Sequence, residues 1–180
     1  MQPGMSAAAG SGAPAAGNSA DSALAGVTAD ELETLRNACV EGINMYRAML
    51  PNLKPLKRAT AAQETCSEQG AQMDGDAMSP HMSARAGLCS RMGLFSENTC
   101  GGFPGGNAMA IANSLKLCLQ GFWAEGAPPG TREACMMDLQ GCYEQHGHYI
   151  NMTDPNIGSV ACAYYKTKNG TYWLNHDFGY

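Results

Sequence analysis

The sequence predicts an α+β domain stapled by disulfides, and three observations predict it. Apolar residues recur at helical spacing through the first half of the chain. The C-terminal segment changes to a period of two around an Asn-Gly turn. Eight cysteines, an even number, are scattered along the 180 residues without a Cys-x-x-Cys pair. Helical segments first and an antiparallel hairpin last is the order expected of a layered α+β domain.

Residues 1–27 are Ala, Gly, Ser and Pro with few large apolar side chains. Such a segment buries too little surface to offset its ordering entropy, so it reads as a flexible tether before a domain spanning 28–180. Similar stretches follow the lipidated cysteine of bacterial surface lipoproteins, which suggests surface anchoring. Met1-Gln2-Pro3-Gly4 lacks both the charged start and the apolar run of an export signal. We therefore expect such a signal to have been removed ahead of it.

Thr28-Ala29-Asp30-Glu31 has the form of a capping box. Leu32, Leu35, Cys39, Ile43, Tyr46 and Leu50 then mark one stripe of an amphipathic helix, ended by Pro51 and Pro55. A second helix is expected from Leu56 to about Met73, stopped by Asp74-Gly75-Asp76. The short connection makes the two antiparallel neighbours, which would bring Cys39 opposite Cys66 and predicts a bridge between them. Ser79 to Asn107 is Gly-rich and reads as irregular, with Cys89 and Cys100 close enough to staple it. A third helix fits Asn107 to Glu125 through Ile111, Leu115, Cys118 and Phe122. Cys135 and Cys142 are placed to pair across the following segment.

The closing hairpin alternates Val160, Cys162 and Tyr164 on one strand and Tyr172, Leu174, His176 and Phe178 on the other. Asn151-Met-Thr and Asn169-Gly-Thr are glycosylation sequons, relevant only in a eukaryotic source.

Charge and cysteine usage restrict function. A net charge of −5 leaves no basic stripe for nucleic acid or for anionic membranes. No apolar run reaches membrane-spanning length. Cys39, Cys66, Cys89, Cys100, Cys118, Cys135, Cys142 and Cys162 read as disulfide cysteines of an oxidising compartment, hence a secreted, extracellular or cell-surface protein.

Four polar residues stand out: His81 in Ser-Pro-His-Met, Glu97 in Phe-Ser-Glu-Asn, Glu125 in Phe-Trp-Ala-Glu and His148 in Gly-His-Tyr-Ile-Asn-Met. Their order carries a resemblance. Ser96-Glu97-Asn98 resembles a Gly-Glu-Asn segment, Trp123-Ala124-Glu125 a Trp-x-x-Glu helix end one residue shorter, and Gly147 to Met152 a Gly-His-Tyr-x-x-Met block. Ile157 to Ala163 resembles the strand that follows, and Tyr172 to Gly179 the Tyr-Trp-x-Gln-Asp-Phe-Gly ending of bacterial members. These are features of the CAP superfamily (cysteine-rich secretory, antigen 5, pathogenesis-related 1).

The resemblance implies a three-layer α-β-α sandwich with a central antiparallel sheet, and convergence of His81, Glu97, Glu125 and His148 in one cleft. In such a cleft the two imidazoles can ligate a divalent metal such as Zn²⁺, with Glu97 and Glu125 orienting them. Alternatively the four groups simply pair as a polar network. The resemblance favours a binding domain for a protein or lipid ligand. A metal-dependent hydrolase using the same cleft, and an interaction domain with a vestigial cleft, are the other readings. No His-Glu-x-x-His motif or Gly-x-Ser-x-Gly elbow supports catalysis.

Two further histidines were weighed. On a strand His146 would share a face with His148 and could join a metal, whereas on a loop it is solvated. His176 reads as a surface residue. The 12 methionines show no close Met-x-x-Met ladder for copper and read as core filler.

Overall fold

The computed structural model describes residues 26–180. Residues 1–25, most of the segment read as a tether, lie outside the described residues. Val27, at the end of that segment, packs into the main core.

The Thr28 capping box forms, and α1 runs Ala29–Arg47 with Leu35, Cys39 and Ile43 buried. Strand β1 is Lys57–Arg58. The second helix, α2, is Ala61–Ala77, later at both ends than its apolar spacing predicts. Two local effects move it. Thr60 forms a second capping box with Gln63, which fixes the start and leaves Leu56 to Arg58 extended. Asp74-Gly75-Asp76 does not stop the helix. Asp74 is buried and hydrogen-bonded, and Gly75 sits tightly against Tyr165, Thr167 and Trp173.

The stretch expected to be irregular holds α3, Met82–Arg85, a 3₁₀ turn at Ser90–Met92, and a ten-residue strand β2, Leu94–Phe103. Beyond it, α4 spans Ala108–Ala124, matching the predicted third helix. Two shorter helices follow, α5 at Arg132–Met137 and α6 at Cys142–Met152. The hairpin is β3, Ser159–Lys166, and β4, Tyr172–Gly179. At its tip Gly170 takes φ +85° and donates its N–H to Thr167 at 2.9 Å, the left-handed position such a turn requires.

The sheet order is β1-β3-β4-β2. β4 runs antiparallel to both of its neighbours, β2 and β3, and the two-residue β1 joins β3 in parallel. Both hairpin strands are buried on both faces. Val160, Cys162, Tyr164, Tyr172, Leu174 and Phe178 pack with α1 and α4 in the main core. The alternate residues meet α2, as when the Tyr165 hydroxyl donates to Asp76 at 2.9 Å. Helices on both faces of the sheet make the three-layer sandwich.

This layering revises the disulfide map. α1 and α2 lie on opposite faces and meet around the β1 edge, where Arg36 of α1 pairs with Glu64 and Glu68 of α2. They are not a packed hairpin, so Cys39 does not reach Cys66. Cys39 bonds Cys162 on the central strand, and Cys66 bonds Cys89. Cys100 bonds Cys118 rather than Cys89, tying β2 to α4. Cys135 and Cys142 pair as expected. The eight cysteines are thus all bridged.

Candidate functional site

The site is built around β2, the edge strand, from two directions. On the α2 side, His81 precedes α3 with a left-handed backbone, φ 63°. That conformation is sparsely populated for a residue with a Cβ. Its Nδ1 lies 3.0 Å from Glu97 Oε1 on β2. Glu97 is fixed in turn: the Ser83 hydroxyl donates to its other oxygen, and Asn175 donates to the same oxygen at 3.0 Å. Ser96, where the resembled motif has glycine, lies in β2 beside a register shift and does not take a left-handed φ.

On the α4 side, Glu125 caps the end of α4. One oxygen pairs with His148 Nδ1. The other accepts the backbone N–H groups of His148 at 2.9 Å and Tyr149 at 3.2 Å. His148 and Tyr149 lie on α6, not on a strand. Helical geometry sends residues two apart to opposite sides, so His146 leaves the cleft. Its Nδ1 donates instead to the Glu125 carbonyl at 2.8 Å and the Gly126 carbonyl at 3.1 Å, holding the loop that presents Glu125.

The four predicted residues therefore come together as two carboxylate–imidazole pairs. The rings of His81 and His148 stack at 5.6 Å between centroids, 26° apart in plane. In each pair Nδ1 faces the carboxylate, and among the described residues Nε2 takes no hydrogen bond. The imidazole side chains are 34% and 25% exposed, against 2% and 19% for Glu97 and Glu125. Glu97 is thus covered, while both imidazoles and Glu125 are partly open. Among the described residues no three His, Cys, Asp or Glu side chains converge as a ready-made metal cage. The donor set fits a metal only as two imidazoles with other positions open.

Two asparagines connect the halves. Asn98 on β2 donates to the His148 carbonyl at 3.0 Å. Asn151 donates to the Glu97 carbonyl at 3.2 Å and to Asn98 at 3.0 Å, and accepts from the Tyr143 hydroxyl at 3.1 Å. Asn151 is buried, so its sequon is structural in the folded chain.

His176 was missed as part of this neighbourhood. It is fully buried on β4 between Asn98 and Cys162, not at the surface. It meets Phe122 edge-on at 5.8 Å, and Phe122 stacks on His148 at 4.3 Å. Neither ring nitrogen has a partner among the described residues. Burial, with a smaller contribution from His148, pulls its pKa down to about 3. Its place in the alternating Tyr172, Leu174, His176, Phe178 series was the signal of an inward position.

A disulfide-rich α-β-α sandwich with two His–Glu pairs at its sheet edge describes the class of fold, and the comparisons with known proteins agree with that fold. Residues 40–177 match the CAP family, described as the cysteine-rich secretory protein family, and the chain belongs to it. Among solved structures, one described as NaASP2 with Zn²⁺ is similar at TM-score 0.58 and 15% identity, over 82% of this chain and 80% of that one. Hookworm platelet inhibitor gives 0.51 and 14%, over 82% and 70%. BmVAL-1 gives 0.53 and 12%, over 84% and 77%. A search of curated protein sequences gave no match.

Proposed function

We infer that the chain is a secreted or cell-surface binding domain whose cleft takes one divalent cation of the zinc type through His81 and His148. Membership of a secretory family and four disulfides support the compartment. Among the described residues no helix is long and apolar enough to cross a membrane.

The observation that carries the metal reading is the carboxylate at each Nδ1. A carboxylate there fixes the tautomer with the proton on Nδ1 and raises the basicity of Nε2. Both free nitrogens belong to stacked, partly open rings. The zinc named in the description of the NaASP2 structure is in keeping with this reading. Binding is favoured over hydrolysis because Glu97 and Glu125 are both occupied by imidazoles and neither is free to act as a base.

Calorimetric titration of the chain with zinc tests this. We expect one site per chain, lost in His81→Ala/His148→Ala and retained in His146→Ala. Undiminished binding in the double variant, or none in the parent, overturns the reading.

A further inference from the structure

On the α2 side of the sheet, Glu97 and Asp177 face each other directly across β2 and β4. Like charges in that relation repel. Asp74 adds a third carboxylate, accepting from the Ser83 N–H at 2.8 Å and from Asn175 at 3.1 Å. Asn175 also donates to Glu97, so Asp74 and Glu97 share one buried donor, while Asp177 accepts from Ser67. Among the described residues no lysine or arginine pairs with any of them. Arg36 and Arg58 are committed to Glu64, Glu68 and Glu33. His81 touches Glu97 alone of the three. Burial, and then the Glu97 charge, push the Asp177 carboxyl well above the usual carboxylate range, the response of a pair that lacks a counter-charge.

A cavity of about 80 Å³ opens onto this pair. Glu97, Asp177 and Ser83 line it together with Leu88, Leu94 and Phe95. Asp177 is 7% exposed; Ser67 donates to Oδ2, and among the described residues Oδ1 has no hydrogen-bond partner. Phe95, 60% exposed, also meets the ring of Tyr180, 70% exposed, at 5.5 Å. Polar floor, apolar wall and aromatic rim occur in one small recess.

We propose that this cavity receives a lysine or arginine side chain of a partner protein, with the cationic head on the Glu97–Asp177 pair and the alkyl stem along Leu88, Leu94 and Phe95. The head supplies the charge the carboxylates lack, through charge-assisted hydrogen bonds to the bare Asp177 oxygen. The stem finds apolar cover, as long cationic side chains do elsewhere. The exposed aromatic pair gives the flanking peptide a surface to rest on. Neither His81 nor His148 lines the recess, so cation binding there does not require a metal on the two imidazoles.

The test is calorimetric titration of the whole chain with short blocked peptides carrying one Lys, one Arg or one norleucine, and with agmatine as a free cation. The Lys and Arg peptides should bind at one site with a Kd of about 1 mM or tighter. The norleucine peptide should bind at least about tenfold more weakly, since it keeps the stem and lacks the charge. Asp177→Asn, which preserves the acceptor for Ser67, should weaken Lys binding about tenfold. Phe95→Ala, at the exposed rim, should weaken it about threefold, and carries the test if Asp177→Asn does not fold. His148→Ala should bind as the parent does. The proposal is overturned if neither cationic peptide binds at about 10 mM, if norleucine matches lysine, or if His148→Ala removes binding. Agmatine matching the peptides would overturn the protein partner and assign the recess to a free amine.

Discussion

Removing the Cys39–Cys162 bridge should destabilise the domain more than removing any other bridge. In the chain-entropy view, a cross-link acts by shortening the loops open to the unfolded chain. Cys39 and Cys162 are 123 residues apart, but bridges of 23, 18 and 7 residues lie inside that span, so the loop they close is roughly 80 residues. A loop of that size corresponds to about 4.5 kcal/mol at room temperature, against about 2.5 kcal/mol for the seven-residue Cys135–Cys142 loop. Cys39 and Cys162 are also fully buried, so replacement adds a packing loss in the main core. The assay is guanidinium unfolding followed by the fluorescence of Trp123 and Trp173. The double variant Cys39→Ala/Cys162→Ala should lose about 2 kcal/mol more than Cys135→Ala/Cys142→Ala. Equal losses, or a loss below about 1.5 kcal/mol for the first variant, would refute the reasoning.

Two further perturbations follow from close packing and burial. At Gly101 a Cβ would come within 2.1 Å of the Trp173 ring, which is itself held by a 2.6 Å bond from its indole N–H to Thr99. Gly101→Ala should therefore cost about 1–3 kcal/mol, read as a lower denaturation midpoint with altered Trp emission. His176 stays neutral in the fold, with its pKa near 3, while in the unfolded chain it takes a proton below about pH 6.5. The unfolded state thus binds more protons between those values, and stability falls as pH is lowered through that window. His176→Leu should lose less stability than the parent between about pH 6.5 and pH 4. Parallel pH profiles for the two would contradict this account.

The parts of the fold that were legible in the sequence are those whose burial is carried by apolar residues or by turn chemistry. α1 announces itself through Thr28 and its stripe, α4 through Ile111, Leu115, Cys118 and Phe122, and the hairpin through Asn169-Gly170. Strand β2 does not, because its buried centre is Glu97-Asn98-Thr99. Those side chains are satisfied by Ser83, Asn151 and Asn175 from distant parts of the chain, which periodicity cannot reveal. The end of α2 was misjudged for the same reason: Asp74 looks like a stop signal until its partners Ser83 and Asn175 are placed. The bridge partners of Cys39 and Cys66 depend on which sheet face each helix covers, which spacing along the chain does not encode. His81, Glu97, Glu125 and His148 could be singled out in the sequence because their motifs are local. His176 was mistaken for surface because a lone histidine near the end of a chain usually is.

The linkage through Asn98 and Asn151 has a consequence for the cleft as a measuring device. Each imidazole is clamped to its own carboxylate, His81 within one helical layer and His148 within the other. The distance between the rings is therefore not set inside either clamp. It also involves the amide bonds that join β2 to α6 across the strand edge and the packing of Phe122 on the His148 ring. Those amides work as the crossbar of a caliper: lengthening or loosening it moves the jaws apart while both jaws keep their shape. The spacing of the two imidazoles is then tied to two neutral amides that lie outside both His–Glu pairs.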